Sequence, residues 1–349
     1  MTKNIFNFRI ILFCLLLLHF GRSVAQQNVA TSDSAHTFID SALRFAKKYS
    51  LYRDKVDWQK VEDTVRLTAS NAHNTKEAIP SLQLLFRLLG DKHGAVVYNG
   101  KYYRGYPKKD LVDTIVHKAL LKKYYQDNTV QSALLEPGYG YLLVPDNNPT
   151  HEGDVDRIGQ DIQDHLNKLN PAELKGLVID LRVNPGGDMF AMLSGLAEVF
   201  EPGELGAFVD PVGHTKEKWG TNGYYAWSDT VIHARATVAH TFSNPSLKVV
   251  VLISPETKSS GEAVAISFEG RPNTWLIGEP TGGYTTSNYS FNFTDNCGLF
   301  LSATIEADKS GTIYWDKVLP DEEIIGGDNF DDLQSDKKII AALKWLKVN

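Results

Sequence analysis

Apolar positions recur at helical spacing through residues 34–89, as in Phe38, Ala42, Phe45 and Ala46 and again in Ile79, Leu82, Leu85, Phe86 and Leu89. That spacing predicts a small helical N-terminal domain. Asp33 and Ser34 are candidate caps for its first helix, and Gly90 is the expected stop of its last. The Tyr- and Gly-rich stretch 99–106 reads as a turn or hairpin. After Pro137 the rhythm changes to short apolar runs separated by helical segments. Strands are expected at 139–144, 177–181, 249–253 and 275–277, and helices at 154–169, 189–200 and 261–268. Strands alternating with helices predict a mainly parallel, covered sheet, hence an α/β core. The runs 289–293 and 299–305 look like an antiparallel hairpin around Asp295-Asn296. A last helix is expected over 335–346, with Ile339, Ile340, Leu343 and Leu346 on one face. Residues 207–229 and 326–332 look like loops, and no internal repeat is visible.

The first residues add an address to this pattern. Lys3 and Arg9 are followed by the apolar run 10–20 and then by Ser23-Val24-Ala25, the order of a signal peptide, so residues 1–25 are expected to be cleaved. The run is short for a spanning helix, which needs ~20 apolar residues, and no later stretch is apolar enough to serve. The mature protein is therefore expected to be exported, to a periplasm or out of the cell, with no stable membrane span. Cys14 sits inside the run, is badly placed for lipid attachment, and reads as an ordinary residue of the signal. Without the signal, 33 Lys and Arg face 42 Asp and Glu, a formal charge of −9 instead of −6. An acidic balance argues against nucleic acid as a partner. Only Cys297 remains, so no intramolecular disulfide can form, and stability must come from an apolar core.

Two strand-to-helix turns could carry chemistry. In Val249-Val250-Val251-Leu252-Ile253-Ser254-Pro255-Glu256-Thr257-Lys258-Ser259-Ser260-Gly261-Glu262, a buried strand leads through a polar turn into a helix. A serine there has its hydroxyl near a helix N-terminus, where unpaired amides favour developing negative charge, as acyl transfer requires. Serine is also a common helix cap, so Ser259 or Ser260 could do no more than that. The second turn, Asn184-Pro185-Gly186-Gly187 after the strand 177–181, puts glycine backbone where another chain or a substrate carbonyl can approach closely. Pro-Gly also marks ordinary tight turns.

Together with Leu89-Gly90-Asp91-Lys92-His93-Gly94, Gly140-Tyr141-Leu142, Leu276-Ile277-Gly278-Glu279-Pro280-Thr281-Gly282 and Leu319-Pro320-Asp321, these turns stand in an order that resembles the tail-specific, C-terminal-processing serine peptidases of family S41. The resemblance covers most of the chain from Leu88 to Trp345. It implies a crotonase-like ββα spiral core with a small helical N-terminal domain, α/β (α+β) in class. It also implies Ser259, three residues before Glu262, as nucleophile. The Ser260 amide would be one oxyanion donor and the Gly186-Gly187 turn the other. Where bacterial members of the family carry a catalytic lysine this chain has Tyr284, and a tyrosine with an ordinary pKa near ~10 is a poor base. In the tricorn-like branch the base is a histidine just after the N-terminal helices, a position matched by His93. That branch also has a serine before the histidine, replaced here by Lys92, and a C-terminal glutamate near which Tyr314 falls. Asp316 is the expected orienting acid, with Glu306 and Asp308 equally possible on chemical grounds.

These readings divide the chain into a signal peptide at 1–25, a helical domain at 26–98 carrying His93, a connector at 99–136 and a catalytic core at 137–349. The connector is short for a PDZ domain, since an independent domain needs ~50 residues or more. Asp91 with His93 lacks a second histidine or cysteine at ligand spacing, so no metal or other cofactor is expected. The expected function is hydrolysis of unfolded or flexible polypeptides. The alternative is a catalytically weak or inactive module that binds a peptide or small apolar ligand in the same cleft, because fold does not fix function.

Overall fold

The computed structural model describes residues 31–106, 112–237 and 244–348. The expected signal segment, Cys14 included, lies outside them. The helical region consists of α1 (Thr31–Tyr49), α2 (Trp58–Thr68) and α3 (Thr75–Leu89). Because α1 already spans Thr31, Asp33 and Ser34 lie within the helix rather than ahead of it. The later starts are capped by side chains: Asp57 accepts from Lys60 N at 3.3 Å and Asn74 from Glu77 N at 3.1 Å. Gly90 ends α3 in the left-handed conformation, φ +78°, which glycine adopts without a Cβ clash.

The chain then forms β1 (Ala95–Tyr98) and β2 (Lys101–Arg104), a hairpin around Asn99-Gly100, followed by α4 (Lys118–Tyr124). Next come the hairpin β3 (Gln131–Glu136) and β4 (Tyr139–Leu143), then α5 (Asp154–Asn167), β5 (Gly176–Asp180) and α6 (Met189–Gly195) with a 3₁₀ turn at Ala197–Val199. The stretch expected to be loop is instead a meander, β6 (Gly203–Asp210), β7 (Thr215–Thr221), β8 (Tyr225–Ser228) and β9 (Val231–Arg235). The rest is β10 (Lys248–Ile253), α7 (Ser260–Ser267), β11 (Thr274–Gly278), the hairpin β12 (Thr286–Thr294) and β13 (Cys297–Asp308), the two-residue β14 (Glu322–Glu323) and α8 (Lys337–Val348). Residues 326–332 are irregular, as expected.

These elements build a mixed α/β fold around two sheets. One sheet has six strands in the order β14-β11-β10-β5-β4-β3, parallel except for the β3–β4 hairpin. Helices cover both of its faces: Met192, Leu193, Val264 and Ile266 of α6 and α7 pack on one side, and Ile339, Ala342 and Leu346 of α8 on the other. Val249 through Ile253 in β10 are therefore completely buried, each worth about 1.5–3 kcal/mol of burial. The other sheet has eight antiparallel strands, with β2-β1-β13-β6-β7-β8-β9 as its path and β12 also paired to β13. The apolar faces of α1 to α3, with Phe38, Leu82 and Phe86, pack on Leu299 and Leu301 of β13 and Val96 of β1. Buried Trp219 of β7 donates its indole N–H to Ser267 Oγ at 3.1 Å, tying the second sheet to α7. Among the described residues no helix is long and apolar enough to cross a membrane.

Candidate active site

Ser259 sits where β10 turns into α7, at the helix N-cap position with φ +53° and ψ −124°. For a residue with a side chain this is sparsely populated backbone, a strain of about 1–3 kcal/mol that the surroundings must hold. They do so with several bonds. Thr257 Oγ1 donates to Leu181 O at 2.8 Å, Ser254 Oγ to Arg182 O at 2.6 Å, and Lys258 N to Asn184 O at 3.0 Å, stitching this turn to the one after β5. From inside the helix, the Glu262 carboxyl accepts from the amides of Ser259 at 2.9 Å, Gly283 at 2.9 Å and Tyr284 at 2.7 Å, and from Thr281 Oγ1 at 2.5 Å. Burial pushes Glu262 up to about 7, against those four donors. Sequence reasoning used Glu262 only to place the serine. Its bonds to the segment 281–284 are the structural reason for a glutamate there.

Gly186 and Gly187 have φ of +121° and +119°. A Cβ on Gly186 would lie 3.0 Å from Ser259 Cβ, and one on Gly187 only 2.0 Å from Asn147 O. The glycines therefore let this turn close directly onto the serine. Their amides differ. Gly186 N donates to Asn184 Oδ1 at 2.9 Å, whereas among the described residues the amides of Gly187 and Ser260 have no acceptor. The Ser260 hydroxyl donates to Gly187 O at 2.7 Å and so joins the two turns.

His93 lies between α3 and β1, and the pairing of β1 with β13 carries it to the second sheet. Its Nδ1 is 3.0 Å from Thr286 Oγ1, Thr286 Oγ1 is 3.0 Å from Ser302 Oγ, and Ser302 Oγ donates to Asp91 Oδ1 at 2.8 Å. Asp91, completely buried, also takes the amides of His93 at 3.0 Å, Gly94 at 2.8 Å and Ser302 at 3.0 Å. Each hydroxyl has one proton to give. Since Ser302 spends its own on Asp91, Thr286 donates to Ser302 and accepts from Nδ1–H of His93. The chain of bonds thus fixes the tautomer in which Nε2 is bare and able to accept a proton. Burial, then the Arg104 guanidinium, push the imidazole down to about 3. The residue is half-buried and borders a cavity. The Tyr284 ring meets His93 edge-on, centroids 5.2 Å apart.

His93, Ser259, Ser260 and Gly187 line one cavity of about 570 Å³, open on one side, together with Phe190, Phe208, Glu217, His233, Thr286 and Glu306. Among the described residues no hydrogen bond joins Ser259 to His93. Asp316 is not brought to the histidine: its carbonyl accepts from Thr285 Oγ1 at 3.2 Å, and the partner of the His93 ring is Thr286. Asp91, considered from sequence only as half of a metal pair, instead ends the bond chain behind the ring. Behind the turns, buried Arg182 pairs with Asp180 at 2.7 Å, Asp328 at 2.8 Å and Asp336 at 2.7 Å. Lys338 pairs with Asp328 at 2.8 Å and Glu279 at 3.1 Å, and Glu279 also meets His117 Nε2 at 2.6 Å. The loop 326–332 is thus pinned by Asp328 to Arg182 at the base of the turn after β5 and to Lys338 of α8.

The chain is 26% identical over 319 residues to a nisin-resistance protein of Lactococcus lactis subsp. lactis, covering 90% of this chain and 87% of the relative. A solved lipoprotein of Streptococcus agalactiae superposes with a TM-score of 0.65 at 20% identity, over 90% of this chain and 96% of that one. The photosystem II D1 C-terminal processing protease superposes with a TM-score of 0.56 at 14% identity, over 86% and 96% of the two chains. These two structures share its fold. The family model for peptidase family S41 matches residues 138–324, just over half of the chain and the segment that holds both turns, and the chain belongs to that family.

Proposed function

We propose that this S41 member is an exported serine peptidase that cleaves unfolded or flexible polypeptides. The observation that carries the reading is Ser259, held at positive φ on a helix N-terminus and facing the same cavity as a histidine whose Nδ1 is tied back. Ser259 Oγ attacks the scissile carbonyl carbon and His93 Nε2 takes its proton. The oxyanion forms between the amides of Ser260 and Gly187. With its amide engaged by Asn184, Gly186 serves by leaving room beside Ser259. His93 then returns the proton to the leaving amine, and water repeats the cycle on the acyl-enzyme. The acid behind the histidine is Asp91, acting through Ser302 and Thr286, in place of the expected Asp316. The division into a helical domain with His93, a connector and a catalytic core accords with this reading. So does export, which would place the enzyme in a periplasm or outside the cell. Since one relative is named for nisin resistance, nisin belongs among the substrates to be tried.

A second reading rests on one observation, the lack of a hydrogen bond between Ser259 and His93. In it the cleft only binds its peptide. Labelling with a fluorophosphonate separates the two: phosphonylation of Ser259, lost in His93→Ala, supports the peptidase, and a wild-type protein left unlabelled supports the binder.

A further inference from the structure

Glu306, Phe208 and Glu217 stand side by side on three adjacent strands. Glu306 of β13 is directly opposite Phe208 of β6, and Phe208 is directly opposite Glu217 of β7. Residues opposite each other across a sheet share a face, and neighbouring strands lie about 4.8 Å apart. All three line the cavity that contains Ser259 and His93. The cavity therefore has a phenyl ring on one wall with a carboxyl on either side of it.

Glu306 is only 2% exposed, and its Oε2 has no hydrogen-bond partner. A buried acceptor left unmet is costly, and a group bordering a cavity can recover that cost from a ligand. Burial, and then the charge of Glu262, hold the carboxyl well above the usual carboxylate range. Glu217, partly exposed, makes no ion pair among the described residues. The other charged side chains lining the cavity are engaged: Asp188 caps α6 through Ala191 N at 3.0 Å, and Arg104 donates to His93 O at 2.8 Å. Two uncommitted carboxyls flanking an aromatic face suit a ligand group with an apolar stem and a cationic end.

We propose that Glu306, Phe208 and Glu217 form a subsite for a lysine or arginine side chain of the peptide. The aliphatic stem lies on Phe208 and the cation between the two carboxyls. The proposal rests on the peptidase reading for the identity of the ligand as a polypeptide, but its test does not require turnover. Binding is measured by calorimetry on Ser259→Ala protein, with two unstructured peptides that differ only in lysine or norleucine at one position.

The lysine peptide is expected to bind at least about tenfold more tightly, in line with a charge-assisted hydrogen bond. Glu306 releases its proton to solvent as the cation binds, so Glu306→Gln, which has no proton to release, and Glu217→Gln should each reduce the preference, with unchanged thermal unfolding. Equal binding of the two peptides, no binding of either, or a preference untouched by both substitutions would overturn the subsite. Wild-type protein given the same peptides separates the two ideas. Ser259-dependent cleavage at equal kcat/KM leaves the peptidase and removes the subsite; a lysine preference in binding without any cleavage leaves the subsite and removes the peptidase.

Discussion

His93 Nδ1 and Thr286 Oγ1 lie 3.0 Å apart, so a threonine on the β12–β13 hairpin sets the proton position of a ring that follows the N-terminal helices. Thr286→Val keeps the shape and removes the acceptor. It should lower kcat by about tenfold to a hundredfold, within the range general-base catalysis supplies, while KM and thermal stability change little. Asp316→Ala should leave kcat within about threefold, since Asp316 does not meet the ring. Steady-state kinetics on the two variants decides between Asp91 and Asp316 as the acid behind His93.

The histidine also predicts a pH dependence. Its folded value of about 3 lies below the ordinary 6.5, so between these the unfolded chain binds a proton that the folded chain refuses. The resulting stability is present above pH 6.5 and is lost as pH falls towards 3. Glu262, raised from 4.5 to about 7, acts in the opposite sense: its contribution is present below pH 4.5 and is lost as pH rises through about 7. Denaturant titrations should therefore show wild type losing stability relative to His93→Asn as pH falls through this window. The acid limb of kcat/KM should lie below pH 6.5, because the base stays unprotonated there.

The two glycines should fail differently. Gly187→Ala would place a methyl 2.0 Å from Asn147 O at a φ of +119°, and the turn cannot open without losing its bonds to Ser260 and Asn147. A destabilisation of at least about 3 kcal/mol is expected by chemical denaturation. Gly186→Ala meets Ser259 Cβ at 3.0 Å, where the serine can give by a few tenths of an ångström. Its main loss should be in kcat, with a smaller loss of stability from its own φ of +121°.

Lys338→Met leaves Glu279 and Asp328 buried with one cation fewer. The cost should be about 3–5 kcal/mol, as when one partner of a buried ion pair is removed, read as a lower denaturation midpoint.

The sequence announced the parts of this molecule that follow from burial. Strands such as 249–253 are apolar throughout because both sheet faces are covered, and the two turns that follow β5 and β10 are marked by glycine, proline and serine at the element ends. Within the meander, residues 207–229 look like loop because β7, Thr-Lys-Glu-Lys-Trp-Gly-Thr, mixes charged exposed positions with glycine and only then buries Trp219. Its alternation is too short to register against turn signals. The helix at the serine could be anticipated locally, whereas the histidine after α3 stood out only through the family resemblance. The bond chain could not be anticipated, since Ser302 is 211 residues from Asp91 along the chain and meets it only because β1 pairs with β13. A threonine and a serine in a strand carry no local sign of such a role. Loop 326–332 was opaque for the same reason: the salt bridges of Asp328 to Arg182 and Lys338 depend on the packing of α8.

The central claim is that Ser259 and His93 act together on a peptide bond. The most direct test is the cleavage rate of casein, an unstructured protein, by the purified protein beside Ser259→Ala and His93→Ala. The account predicts cleavage by wild type and a loss of at least about a thousandfold in both folded variants. Cleavage that survives either substitution, or none above the variants, would contradict it.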